Sequence, residues 1–327
     1  LNGLVWENQI LDRDFHPIKT WNSADDDSMF RKFLLNVCRG SSDRFNSLMS
    51  GIGYLLHSYK NPANAKAIIF CDEKVSETPE GRSGKSLVAK AIGQLKNTVR
   101  MDGKKVDFRD RFVYQQVELS TQIIDFNDVK ENFDFESLFS VVTDAINVEK
   151  KNSHKYTIDF ENAPKITIST NYTIRGVGGS FNARKFELEF SDYYNSEFTP
   201  IDDFKCMFFE GWDAVEWNKF DNFMLMCEQF YLQNGLVDYQ KINLALRNII
   251  SNTSAEFVSY ADLLTLDIWH DKKMIYDQYI ARSSTNSRFL SQKRFTSTWL
   301  KAFADYKEYK IETKESNGIG FFRLCKK

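Results

Sequence analysis

One junction constrains this chain more than any other feature. An apolar run, AIIFC (67–71), leads through a polar loop into GRSGKSLVAKAIGQLK (81–96). The apolar run reads as a buried strand, and SLVAKAIGQLK has good helix formers with an apolar face. Between them Gly81 and Gly84 supply backbone freedom just before Lys85 and Ser86. Strand, glycine loop and helix N-terminus in that order form a cradle for an anion, because successive backbone N–H groups curl around it. Lys85 would reach the outer phosphates of a nucleotide and the Ser86 hydroxyl would meet Mg²⁺; Arg82, Ser83 and Leu87 complete the candidate contacts of the loop. Pro79 stands where such loops usually begin with glycine, and it has no N–H and a fixed φ. The later amides do most of the cradling, and the stretch from Asp72 leaves room for a different entry. The competing structural explanation is a chance GKS at a helix cap.

The rest of the chain tests that explanation. Strand-like segments at 111–119 and 121–129, a helical one at 135–146 and strands at 163–172 and 183–190 alternate in a way that predicts an α/β fold with a parallel sheet. IIDFNDV (123–129) supplies an acidic strand. Asp128, where the strand should end, is the first choice for the carboxylate that serves Mg²⁺ or the attacking water; Asp125, within the run, is the alternative. Asn127 sits where many ATPases of this kind carry a second acid, which puts the general base in question. ISTN (168–171) ends a strand in Asn171, whose amide could bond both a γ-phosphate and a water. Arg184 follows, and a guanidinium on a γ-phosphate stabilises transition-state charge.

Two basic features point to nucleic acid. INVEKKNSHKYTIDF (146–160) reads as a hairpin with Lys150, Lys151, His154 and Lys155 at or beside its tip, a sequence-independent contact for phosphates. From Arg282 to Lys327, eleven Lys and Arg stand against four Asp and Glu. There, two helices precede a hairpin turning at Asn317-Gly318, the outline of a winged helix, with Lys293 and Arg294 near the start of its recognition helix. Phe295, Trp299 and Phe303 fit its core. The structural alternatives are a solvated turn and a basic packing unit.

With 42% hydrophobic and 27% charged residues among 327, the chain can bury a sizeable core. A net charge of −2 rules out a polycation, so any nucleic-acid contact must be local. Five scattered cysteines with no CxxC pair form neither a disulfide framework nor a zinc spacing, and fit a reducing cytoplasm. No apolar stretch is long enough to span a membrane. The chain opens at Leu1 rather than Met, the expected sign of a piece of a longer protein.

In order, the phosphate loop, acidic strand, basic hairpin, strand ending in Asn and following Arg resemble the superfamily 3 helicases. VEKKNSHKYTIDFENAPKITISTNYTIRGVGGSFNARKFELEF (148–190) looks like the hairpin-to-finger segment of polyomavirus large T antigen, and still more like the helicase part of the primase-helicases of phages, plasmids and poxviruses. The resemblance covers about residues 30–200. It implies an AAA+-like core, usually hexameric, that hydrolyses ATP with Mg²⁺ between subunits and moves on single-stranded or forked DNA. Position by position it implies Lys85 and Ser86 in the phosphate loop, Asp128 as the acid, Asn171 as the sensor, Arg184 as a finger given to the neighbouring subunit, and Lys151 as the DNA-tracking lysine. Pro79 and Asn127 depart from the pattern.

The resulting expectation is an N-terminal helical segment (1–62), an ATPase core (63–200), a helical lid (201–260) and a winged-helix-like unit (261–327), forming a DNA helicase module, with a primase or other nuclease-polymerase domain as the candidate upstream neighbour in the intact protein. The alternatives are a non-translocating initiator or loader ATPase, excluded by unwinding of a forked duplex, and a nucleotide-binding module with weakened hydrolysis, excluded by phosphate release that depends on Lys85.

Overall fold

The computed structural model describes residues 5–18, 28–73, 82–174, 179–241, 244–283 and 290–326; Pro79 and Gly81 lie outside them. The chain divides into two compact units, 1–242 and 243–327. The expected boundary after 260 therefore falls inside the second unit, which also takes the helices from Leu244 to Ala261.

The first unit begins with helices α1 (Met29–Val37) and α2 (Ser42–Leu56), within the expected N-terminal helical segment. Next come β1 (Ala67–Asp72), α3 (Lys85–Gly93), β2 (Thr98–Asp102) and β3 (Ile123–Val129). A 3₁₀ turn (Glu136–Leu138) runs into the short α4 (Phe139–Thr143), so the helix expected over 135–146 is broken and brief. β4 (Ile146–Val148) and β5 (Tyr156–Ile158) pair antiparallel as the basic hairpin. β6 (Lys165–Thr170), α5 (Gly179–Arg184), β7 (Lys185–Phe190), α6 (Pro200–Phe204) and α7 (Ala214–Asn234) complete the unit.

β1, β2, β3, β6 and β7 form one five-stranded sheet, order β2-β3-β6-β1-β7, parallel throughout. The apolar run of β1 explains its place inside the sheet. Successive strand side chains face opposite ways, so Ile68 and Phe70 join one core with α1, α2, α3 and α7, while Ala67 and Ile69 join a second core with Ile124, Phe126, Ile168 and Val142. The Met and Phe stripe of α7 is core: Phe220, Phe223, Met224 and Cys227 are buried in the first cluster. Gly53 lets α2 approach α7, since a Cβ there would stand 2.0 Å from the Cys227 carbonyl oxygen.

One expectation about strands is corrected, and one strand was not expected. Residues 111–119 form no strand; they run through turns. Asp107 Oδ1 accepts from the Arg109 amide at 3.0 Å and Asp110 Oδ1 from the Phe112 amide at 2.9 Å, local bonds that turn the chain despite β-prone side chains. The unexpected strand is β2, TVRMD, at one edge of the sheet, in which only Met101 is buried.

In the second unit, α8 (Leu244–Asn252) and α9 (Ala255–Ala261) precede β8 (His270–Asp271) and α10 (Lys272–Arg282). α11 (Gln292–Arg294) continues through a π turn (Phe295–Trp299) into α12 (Leu300–Tyr306). β9 (Tyr309–Ser316) and β10 (Ile319–Lys326) form an antiparallel hairpin, and β8 extends it on the β10 side. Asn317 and Gly318 turn it with φ of 52° and 75°, the left-handed pair that an Asn-Gly loop supplies. Phe295, Trp299 and Phe303 are buried with Phe257, Tyr279 and Phe322, as expected of a core.

Candidate functional site

The parallel register brings the ends of three strands together. Phe70 of β1 is level with Ser169 of β6, and Phe126 and Val129 of β3 are level with Ile168 and Thr170. Asp72, Asn171 and Asp128 therefore stand side by side at the carboxyl edge of the sheet. Open α/β sheets present ligand sites at this edge.

Lys85, the first residue of α3, projects into that edge and is only 7% exposed. Its Nζ donates to Asn171 Oδ1 at 2.8 Å, to Asp72 Oδ1 at 2.5 Å and to Ser83 Oγ at 3.0 Å. Ser83 Oγ itself donates to Asp72 Oδ1 at 2.5 Å. Gly84 makes this approach possible. Its φ is +96°, and a Cβ would stand 2.6 Å from the Phe33 ring, so both backbone and space demand glycine. Arg82 also has positive φ, 63°.

β3 contributes through an irregularity. Its pairing with β6 shifts between Phe126 and Val129, and Asp128 takes φ of +55° while its N–H donates to Ser169 Oγ at 3.0 Å. The twist gives Asn127 and Asp128 different partners. Asp128 Oδ1 accepts from Asn171 Nδ2 at 3.3 Å, and Asp128 Oδ2 pairs with Lys104 Nζ at 2.5 Å. Asn127 Oδ1 accepts from Ser86 Oγ at 3.4 Å and from Arg100 Nη2 at 2.9 Å. The Ser86 hydroxyl thus meets Asn127, an uncharged oxygen, rather than either candidate carboxylate.

Asp125 lies deeper on the strand. It is 2% exposed, accepts from Thr167 Oγ1 at 2.8 Å and pairs with Arg100 Nε at 3.1 Å. Burial pushes its carboxyl above the usual range, and Thr167 and Arg100 pull the other way. The structure does not gather Ser86, Asp125 and Asp128 into one ligand set, and no group of three or more His, Cys, Asp or Glu able to hold a metal occurs among the described residues. Mg²⁺ on a nucleotide takes most of its oxygens from phosphates and water, so a serine hydroxyl beside an amide oxygen remains chemically suitable for it.

Arg184 ends α5, beside the start of β7. Lys185 is level with Ala67, and Phe190 with Asp72. Lys185, the residue after Arg184, therefore stands about 17 Å from the Asp72 edge, at about 3.3 Å of rise per strand residue. The Arg184 guanidinium lies 4.8 Å from the centre of the Phe139 ring, and Nη1 donates to the Ser180 carbonyl at 3.2 Å. It does not join Lys85 within one chain.

At the hairpin, Lys151, His154 and Lys155 are exposed. Lys150 pairs with Glu118, whose hydrogen bond pushes the Lys150 pKa up. Glu149 is joined to Arg111 Nε at 3.5 Å. In the second unit Lys293 and Arg294 are both exposed on α11, with the Ser291 hydroxyl accepting from the Arg294 amide at 3.2 Å. Among the described residues no helix is long and apolar enough to cross a membrane.

Sequence reasoning missed Asp72, Arg100 and Lys104. Asp72 carried a weak signal, a lone acid closing an apolar strand before GKS; the other two belong to the unpredicted β2 and its following turn.

Fold and site together define a mixed α/β protein with a polar, lysine-centred site at the carboxyl edge of a five-stranded parallel sheet. No protein-family model matches the chain, and no curated protein matches it. Among known structures, it is similar to an apo form of the NrS-1 C-terminal region, at 13% identity and a TM-score of 0.46, over 96% of this chain and 78% of that one. A second apo structure of that region, residues 305–718, gives 15% identity and a TM-score of 0.43, over 95% and 77%. A JCV helicase with a small molecule bound gives 14% identity and a TM-score of 0.30, over 85% and 72%. At these values none of the likenesses assigns a function.

Proposed function

We propose that this chain is an ATP-hydrolysing DNA helicase module of the superfamily 3, AAA+-like kind, acting as a ring of copies. The observation that carries it is Lys85 Nζ on Asn171 Oδ1 at 2.8 Å, with Asn171 also bonded to Asp128. A glycine-turned helix N-terminus, a cation and a polar strand end converge there, as binding and hydrolysis of a triphosphate require.

In this reading the loop through Gly81, Arg82, Ser83, Gly84 and Leu87 cradles the phosphates. Lys85 neutralises their outer charge. Mg²⁺, held by Ser86 with Asn127 near it, would add further positive charge on the phosphate oxygens. Asn171 orients the attacking water, and Asp128, turned toward it by the irregular β3, accepts its proton. Arg184 supplies its guanidinium to the site of the adjacent copy; its distance from its own Asp72 edge supports that role. Lys151, with His154 and Lys155, contacts the sugar-phosphate backbone of one DNA strand. The second unit acts as a winged helix that presents Lys293 and Arg294 to DNA.

The test is ATP hydrolysis with and without single-stranded DNA, measured beside molecular mass and unwinding of a forked duplex. Mg²⁺-dependent hydrolysis stimulated by DNA, in assemblies larger than one chain, is the expected result. Hydrolysis without unwinding would favour the initiator or loader alternative. No hydrolysis in a proven ring would refute the enzyme.

A further inference from the structure

Asp72 has no place in the reaction described above, yet it makes two short contacts at the site. Its Oδ1 accepts from Lys85 Nζ and from Ser83 Oγ, each at 2.5 Å. An ammonium carries three donors. Those of Lys85 have three acceptors, Asp72, Ser83 and Asn171, so without nucleotide none is left for a phosphate. Two of the acceptors are neutral; Asp72 alone opposes the lysine's charge.

We propose that Asp72 is a built-in competitor for Lys85, a carboxylate that a polyphosphate must displace before the lysine can serve it. This rests on the nucleotide reading of the site. The physical cause is the burial of Lys85. A buried cation is costly unless paired, and Asp72 supplies the partner while the site is empty of anions. When a triphosphate arrives, the lysine exchanges one anionic partner for another, and the freed carboxylate repels the polyanion beside it. Asp72 therefore lowers affinity in proportion to the charge that enters. Ser83, by donating to the same carboxylate oxygen, holds it against the lysine and is a positioning residue for the competition.

The experiment measures binding of ATP and of inorganic tripolyphosphate by calorimetry to the wild-type chain, Asp72→Asn, Lys85→Ala and the double variant. Asn keeps the shape and an acceptor for Lys85 while removing the charge. Asp72→Asn is expected to bind both ligands about tenfold tighter, one such step being about 1.4 kcal/mol, and KM for ATP should fall without a rise in kcat. In the Lys85→Ala background the same change should give little gain. If wild type binds and Asp72→Asn binds equally or more weakly, Asp72 is no competitor. An equal gain with and without Lys85 would reduce it to general repulsion and also overturn the proposal. If neither wild type nor Asp72→Asn binds either ligand, the nucleotide reading itself fails.

Discussion

Lys85 and Asn171 lie 86 residues apart in the chain and 2.8 Å apart in space. The first opens α3 and the second directly follows β6, so only the parallel sheet can join them. Asn171→Ala should lower kcat for ATP about 10²-fold while nucleotide affinity changes little, because the amide acts on the attacking water more than on the bound ground state. Steady-state kinetics beside equilibrium binding separates the two.

Asn127 accepts from the Ser86 hydroxyl where a carboxylate was expected. Asn127→Asp would place a negative charge beside that hydroxyl. The Mg²⁺ concentration giving half-maximal ATP hydrolysis should fall several-fold, less than a free carboxylate would achieve, because Arg100 Nη2 lies 2.9 Å from the same oxygen position. A magnesium titration at fixed ATP checks this; an unchanged midpoint would place Asn127 outside the metal's reach.

Lys85→Ala and Arg184→Ala should each abolish hydrolysis in uniform assemblies. Mixed together they should recover part of it, since some interfaces would pair an intact Lys85 with an intact Arg184 from the next copy. Failure of the mixture to recover in a confirmed oligomer would count against a shared site.

The basic hairpin carries a charge that is already engaged, because Glu118 pairs with Lys150. Lys151→Ala should weaken single-stranded DNA binding and reduce the slope of log affinity against log salt by about 0.7, one phosphate contact on a single strand. Glu118→Gln should do the reverse by freeing Lys150. Fluorescence anisotropy across a salt series measures both slopes.

Lys165 makes a prediction about pH. It is 4% exposed, and burial with nearby Lys96 and Lys60 lowers its pKa to about 7. The unfolded chain keeps this proton up to about pH 10. Between pH 7 and 9 the unfolded state therefore binds more protons, and stability should rise with pH. Lys60, lowered to about 8 mainly by burial, acts in the same direction over the upper part of that window. Lys165→Met should flatten the slope, seen in urea melts at pH 7, 8 and 9. Its neutral-pH stability reflects two opposed effects, because Lys165 Nζ also donates to the Tyr54 carbonyl at 2.5 Å near the end of α2.

Where local chemistry and tertiary demand agree, the sequence was readable. AIIFC had to be a central strand, GKS had to open a helix, and Asn317-Gly318 had to turn a hairpin. Edge strand β2 was not readable, because one buried side chain in five leaves no pattern to detect. Residues 111–119 misled because their β-prone side chains are overruled by aspartate-capped turns just upstream. The partners of Asn127 and Asp128 depend on a positive φ and a shift of pairing with β6, neither written in the residues themselves. Asp72 needed the fold, since its tie to Lys85 spans the loop that separates them.

The direction of the β1–β7 pair has one more consequence. Both strands run the same way from Ala67 and Lys185, so the proposed finger and its own lysine face opposite ends of one slab. No hinge within a strand can fold that distance away. Turnover should then vanish on dilution with a steep, cooperative dependence on protein concentration, and a chain held solitary should be inert however much nucleotide it is offered.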